Sequence, residues 1–309
     1  MKTILHRRLR RGLGLLHIFC FLLVACKPGA GGGIGQKTAE LPAQEPSKLD
    51  DPIPTPPAEE SSSGCMPGNE LYRGECIPNI RLPMTSDGLD PYYKKLIHID
   101  GAQVASNEKV ADEALSEAAF WLRKMTYLHP EYIAEWKRLR IKLAVVSRSE
   151  PVVSVPEYRG LKDIGARGGG ATEYYNATTT DEANLMCAAE GGGYGSWGPD
   201  KIMIHELAHS IHLAIKYANP PLHRKIADTF AKPSVKALWV NTYANTNVNE
   251  YFAEISQSWF GANRRGPAGG NGTHNDLSSR GDLLARDPDS SALMLEVYGN
   301  SAIEYQCPN

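Results

Sequence analysis

The sequence lacks an excess of basic charge. Its 33 Lys and Arg stand against 35 Asp and Glu, for a formal net charge of −2. Five of the cations (Lys2, Arg7, Arg8, Arg10, Arg11) fall within residues 1–25 with no acid among them, which leaves −7 on the remainder. A chain of that sign gains nothing from phosphate backbones, so nucleic acid is not an expected partner. No Cys-x2-Cys pair is present, which removes a zinc ribbon. The glycine-dense stretch 160–171 is followed by no Gly-Lys-Ser/Thr, so it reads as a loop and not as a phosphate cradle. No internal repeat is apparent. The apolar stretch 13–25, interrupted only by Gly14 and His17, is too short to cross a bilayer as a helix.

That stretch suits a signal-peptide core instead, because a basic run precedes it. It ends in Leu23-Val24-Ala25-Cys26, which resembles the lipobox of bacterial lipoproteins. The resemblance implies cleavage before Cys26, lipidation of its thiol and attachment to the cell envelope, at the outer membrane if the cell has two. Residues 26–64 are rich in Gly, Pro and Ser and cannot bury enough apolar area to offset their ordering entropy; they read as a flexible tether. Cys20 would leave with the signal peptide. Four cysteines then remain in an oxidising compartment, and four allow three pairings. The pairing expected here is Cys65–Cys76, closing a small segment at 65–81, and Cys187–Cys307, tying the C-terminal segment to the body.

The folded body is expected over 82–309, with 42% hydrophobic and 22% charged residues overall. Apolar spacing predicts a helix over 108–128 capped by Ser106, and a shorter one over 130–140. β-Branched runs predict strands at 141–147 and 152–155, and a Thr/Tyr-rich one at 172–180. Residues 202–218 form a strongly apolar helical stretch stopped by Asn219-Pro220-Pro221. Further helices are expected at 222–230, 247–260 and 290–298, with a loop at 261–289.

Within the apolar helix stands His205-Glu206-Leu207-Ala208-His209. Histidines four apart share one helical face, so both imidazoles can reach a single zinc ion. Glu206 is placed to take a proton from an activated water and to return it to a leaving amine. Three polar groups in an apolar helix are costly without a purpose. Catalytic zinc needs a third protein ligand and an open fourth position. His212 and Ile215 stand where one class of zinc peptidase places glycine and a third histidine, which excludes that class. His212 itself reads as a core histidine. Glu250, in the first turn of a later helix, is the expected third ligand. Tyr243, in the loop before it, can donate to an oxyanion. Glu254, one turn beyond Glu250, can orient a histidine ligand from behind, or else is a surface carboxylate.

His205-Glu206-x2-His209 followed by Tyr243-x6-Glu250-Tyr-Phe-Ala-Glu254 resembles the catalytic domain of anthrax toxin lethal factor and its Pro-Pro endopeptidase relatives, a gluzincin type. The resemblance covers residues 200–260. It implies an α+β, zincin-like domain holding one zinc on His205, His209 and Glu250, with Glu206 as general base and Tyr243 as phenolic stabiliser. The expected activity is zinc-dependent hydrolysis of peptide bonds in an extracytoplasmic protein or peptide. Two other readings stay open. One is a surface lipoprotein that binds zinc without catalysis; the other is a zinc amidase acting on cell-wall crosslinks, since zinc-activated water suits any amide carbonyl.

Overall fold

The computed structural model describes residues 65–163, 165–166, 168–188, 200–300 and 303–308. The expected signal peptide, Cys26 and the expected tether lie outside the described residues. The first described element is a hairpin in which β1 (Asn69–Tyr72) pairs antiparallel with β2 (Glu75–Pro78). Arg73 and Gly74 both take positive φ at its turn, the backbone that a tight two-residue hairpin demands. A disulfide joins Cys65 to Cys76 across it, and Ile77 is buried in the main core.

The central sheet starts with β3 (Lys95–Ile99) and β4 (Ala102–Ser106), antiparallel about Asp100-Gly101. Helices α1 (Asp112–Thr126) and α2 (Pro130–Leu139) follow, then β5 (Lys142–Val146), β6 (Gly168–Gly169) and β7 (Ala177–Asp181). The order across the sheet is β3-β4-β5-β7-β6, parallel between β4, β5 and β7 and antiparallel at both edges. Then come α3 (Glu182–Leu185), α4 (Ile202–Ala218), α5 (Pro220–Phe230), α6 (Pro233–Leu238), α7 (Val248–Trp259), α8 (Arg280–Arg286) and α9 (Pro288–Tyr298). A second disulfide joins Cys187 to Cys307. The class is α+β.

Strand alternation divides the sheet's two faces. Leu143 and Val145 of β5 point into the core built by α1, α2, α4, α7 and α9. Ala144 and Val146, one residue out of phase, pack with Val152, Val155 and Tyr158 on the other side. Helices therefore cover one face, and the 150s segment covers the other.

Several expected elements differ. Residues 152–155 form no strand: Pro151 and Pro156 bracket two short 3-10 turns, closed by Ser154 N–H to Pro151 O (2.9 Å) and Tyr158 N–H to Val155 O (3.0 Å). α1 starts at Asp112 and not at 108, because Ser106 is the last residue of β4. The orphan N–H of Ala111 donates to Glu182 Oε1 at 3.0 Å, a long-range cap that no local pattern announces. Of 172–180 only the end is strand, since Thr172 N–H closes a turn on Tyr175 O at 2.8 Å. The expected loop at 261–289 holds α8, started by Ser279, whose hydroxyl accepts the Asp282 N–H.

Candidate metal centre

The centre is built from two neighbouring helices. α4 runs from Ile202 to Ala218, and its start is fixed by Asn184. That side chain accepts the Ile202 N–H at 2.9 Å and donates to Asp200 O at 2.8 Å. α7 is started by Asn247, whose side-chain oxygen accepts the Asn249 and Glu250 N–H groups at 2.9 and 3.1 Å. This cap puts Glu250 in the first turn, facing α4.

His205 Nε2 lies 3.0 Å from Glu250 Oε2, and His209 Nε2 lies 3.2 Å from the same oxygen. One ligand atom from each of these three residues falls within 4.8 Å of the others. The donor set suits a divalent cation, and a second contact on His205 bears on its protonation. His205 Nδ1 is 2.8 Å from Gln257 Oε1. The amide of Gln257 is oriented by its nitrogen, which faces Lys201 O and Ala262 O at 3.4 and 3.5 Å. An amide oxygen only accepts, so Nδ1 carries a hydrogen and neutral His205 presents a lone pair at Nε2. That lone pair faces a carboxylate oxygen, which also only accepts. Either a proton or a cation has to sit between them. Without a cation the proton wins: burial opposes it, but Glu250 outweighs burial, and His205 is pushed up to about 10. Glu250 is held well below the usual carboxylate range, since the two imidazoles outweigh its burial.

Glu206 follows His205 on α4, lies close enough to His205, His209 and Glu250 to feel their charges, and is partly exposed. Burial pushes its carboxyl up, while His205, His209 and a hydrogen bond from the Gly170 N–H pull the other way. Edge strand β6 and Gly170 lie directly against this part of α4. A Cβ on Gly168 would come 2.7 Å from Glu206 Cγ, and one on Gly170 would come 2.4 Å from His209 Cβ. Ser210 pins the run, accepting the Ala171 N–H at 2.9 Å and bonding to the Thr178 hydroxyl of β7. The glycine-dense loop is thus a close-approach wall of the site.

Tyr243 opens a short turn before α7, and its ring is stacked on His205 with centroids 6.0 Å apart. Burial first, then the Glu250 carboxylate, pushes its phenol far up, so it stays a donor. Glu254 is buried, with Oε1 3.6 Å from His205 Nδ1. The closer partner of that nitrogen is Gln257, which the sequence reading passed over. Its signal was spacing: 250, 254 and 257 share one face of α7, and a buried glutamine there needs a partner. His212 stands apart from the three ligand groups, stacked on Phe252 at 4.9 Å, and burial drives its pKa down to about 3.

One buried imidazole, one partly exposed imidazole and a buried carboxylate converge, with a partly exposed carboxylate and a phenol beside them. No protein-family model matches this chain, and no curated protein or solved structure is significantly similar to it.

Proposed function

We propose that this chain is a zinc-dependent endopeptidase of zincin-like architecture, related to the lethal factor and Pro-Pro endopeptidase group. It would act on a protein or peptide outside the cytoplasm. The observation that carries the reading is the convergence of His205, His209 and Glu250 on one point, with Glu206 beside it. One zinc per chain held there would supply a Lewis acid for a carbonyl oxygen and lower the pKa of a water.

The protein's own groups divide the remaining work. Glu206 is the only carboxylate of the set that is partly exposed, and its raised pKa suits a group that takes a proton from water and then gives it to the leaving amine. Tyr243 keeps its proton and donates to the oxyanion as charge develops there. β6 is the sheet's edge strand beside Glu206, and its backbone offers an extended peptide a line along which to lie. Gln257 holds His205 in the tautomer whose Nε2 faces inward. The two disulfides suit an oxidising compartment, in keeping with export and lipid attachment at Cys26 to the bacterial envelope.

The test is the Glu206→Gln variant of the full chain, assayed on a peptide library beside its zinc content. Turnover should fall by a factor on the order of 10²–10⁴ with zinc still at one per chain. Undiminished cleavage removes Glu206 from the reaction. Zinc without cleavage by the parent favours the non-catalytic lipoprotein, and cleavage of purified cell wall alone favours the amidase.

A further inference from the structure

The metal-facing side of His205 has a counterpart behind it. Glu254 Oε1 lies 3.6 Å from His205 Nδ1, while Oε2 accepts from Asn263 Nδ2 at 3.0 Å and faces His274 Nδ1 at 4.0 Å. That ring nitrogen is buried and has no nearer hydrogen-bond partner. On the ring's far edge, Nε2 is 3.1 Å from Asp200 Oδ2. Asp200 also accepts the Arg264 N–H at 2.6 Å. Both carboxylates are buried, with side chains 4% and 6% exposed for Glu254 and Asp200.

One imidazole thus stands between two buried acceptors. Nε2 is within hydrogen-bond distance of Asp200, and Nδ1, at 4.0 Å, is within ion-pair reach of Glu254 without a hydrogen bond; the imidazolium is the form that both carboxylates attract. The charge argument agrees. A neutral, metal-holding His205 cannot offset the Glu254 carboxylate, whereas Asp200 also has the Arg264 guanidinium, with Nε 3.6 Å from Oδ2. A buried carboxylate without a cation is expensive. Burial works against a charged His274, but the Asp200 bond and the pull of Glu254 outweigh it and its pKa rises.

The same loop reaches a second part of the site. Thr273 O accepts the Tyr243 N–H at 2.8 Å. Asn271 Oδ1 shapes the loop by accepting the Thr273 and His274 N–H groups at 3.0 and 2.9 Å. Gly270 passes so close to the Tyr243 turn that a Cβ there would come 2.2 Å from Asn241 O. Adjacent residues therefore hold the turn that carries the phenol and the carboxylate behind the first histidine.

We propose that His274 is a positioning residue of the metal centre. Its ring, clamped between Asp200 and Glu254, keeps Glu254 against His205, and its neighbour Thr273 sets the Tyr243 turn in register with that clamp. The inference rests on the metal centre proposed above.

The experiment uses the full chain with His274→Ala and His274→Gln. Zinc affinity is read by competition with a chromophoric chelator, geometry by the visible spectrum of the cobalt(II) form, and folding by the melting of the metal-free protein. The Ala variant should bind zinc about 10–100-fold more weakly, the usual cost of losing a partner behind a ligand. Its cobalt spectrum should shift, and its metal-free melting should fall as well, because two buried carboxylates lose the imidazolium between them. Gln, which keeps one donor, should recover part of the affinity. A parent that binds zinc and an Ala variant matching it in affinity and spectrum would overturn the proposal alone. Equal weakening in Ala and Gln, tracking an equal loss of metal-free stability, would also overturn it, leaving the loop a purely structural part. A parent that takes up no zinc removes the peptidase reading and this inference with it.

Discussion

Zinc uptake should expel a proton from His205, and the count can be worked from three contacts. In the metal-free chain, Nδ1 donates to Gln257 and Nε2 faces the Glu250 carboxylate at 3.0 Å. Nε2 therefore holds a proton, and the ring is pushed up to about 10, because Glu250 outweighs the burial that opposes the charge. A coordinated imidazole has to be neutral at that nitrogen. The sign follows: below pH about 10 the metal-free state binds the extra proton, so raising pH favours the metal-bound state. One proton per metal means tenfold in affinity per pH unit, or about 1.4 kcal/mol. Between pH about 6.5 and about 8.5 the affinity should then climb by a factor on the order of 100. Calorimetric titration of the metal-free protein with zinc, in buffers of different ionisation enthalpy, reads the proton count as the slope of heat against that enthalpy. A slope of at least one proton near pH 7.5, together with the climbing affinity, is the expected result. Heats independent of buffer and an affinity flat with pH would refute the reasoning, since His205 could not then be the imidazolium that its neighbours demand.

Two substitutions separate other parts of the site. Tyr243→Phe removes the phenolic donor stacked on His205; kcat should fall by a factor on the order of 10²–10³ with zinc affinity unchanged, measured by steady-state kinetics beside chelator competition. Equal turnover would leave the phenol without a catalytic role. Gly170→Ala drives a methyl to within 2.4 Å of His209 Cβ. Overpacking of this kind costs about 1–3 kcal/mol, and the variant should both melt lower and bind zinc more weakly, by thermal unfolding and zinc titration. A variant with parental affinity would mean that β6 does not press on the ligand helix.

The helices that carry His205, His209 and Glu250 were the most legible part of the chain. α4 is apolar except at its functional positions and ends where Asn219-Pro220-Pro221 forces it to; its observed bounds match the sequence reading. The two prolines also begin α5, because a proline in the first turn needs no N–H partner. α7 was expected from 247 to 260, and the structure adds that Asn247 caps it and at the same time aims Glu250. What could not be read locally was whatever depends on distant partners. The start of α1 is set by Glu182, 71 positions away. The orienting contact on His205 comes from Gln257, 52 positions away, and a glutamine carries no motif of its own. The β3–β4 hairpin was readable in principle from Asp100-Gly101, but its flanks are mixed and went unassigned. The segment 152–155 has the composition of a strand, and two prolines overrule composition. The 160–171 stretch was expected to be loop throughout, but Gly168–Gly169 form edge strand β6, and only the packing reveals that its last glycines lie where α4 leaves no room for a side chain.

One junction far from the metal centre bears on how the molecule carries mechanical load. Arg73, at the tip of the first hairpin, bonds at once to the buried Glu117 of α1 (2.7 Å) and to Gln306 O (3.0 Å). The next residue, Cys307, is bridged to Cys187 just beyond α3. Tension entering at the hairpin therefore divides at Arg73, one share passing into α1 and the other through the C-terminal segment and a covalent bond into the end of α3. The Cys65–Cys76 link makes the hairpin a closed ring that cannot be peeled open residue by residue. Load reaching α3 arrives at Asn184, which holds the start of α4, so this junction couples the C-terminal segment to the helix that carries His205 and His209.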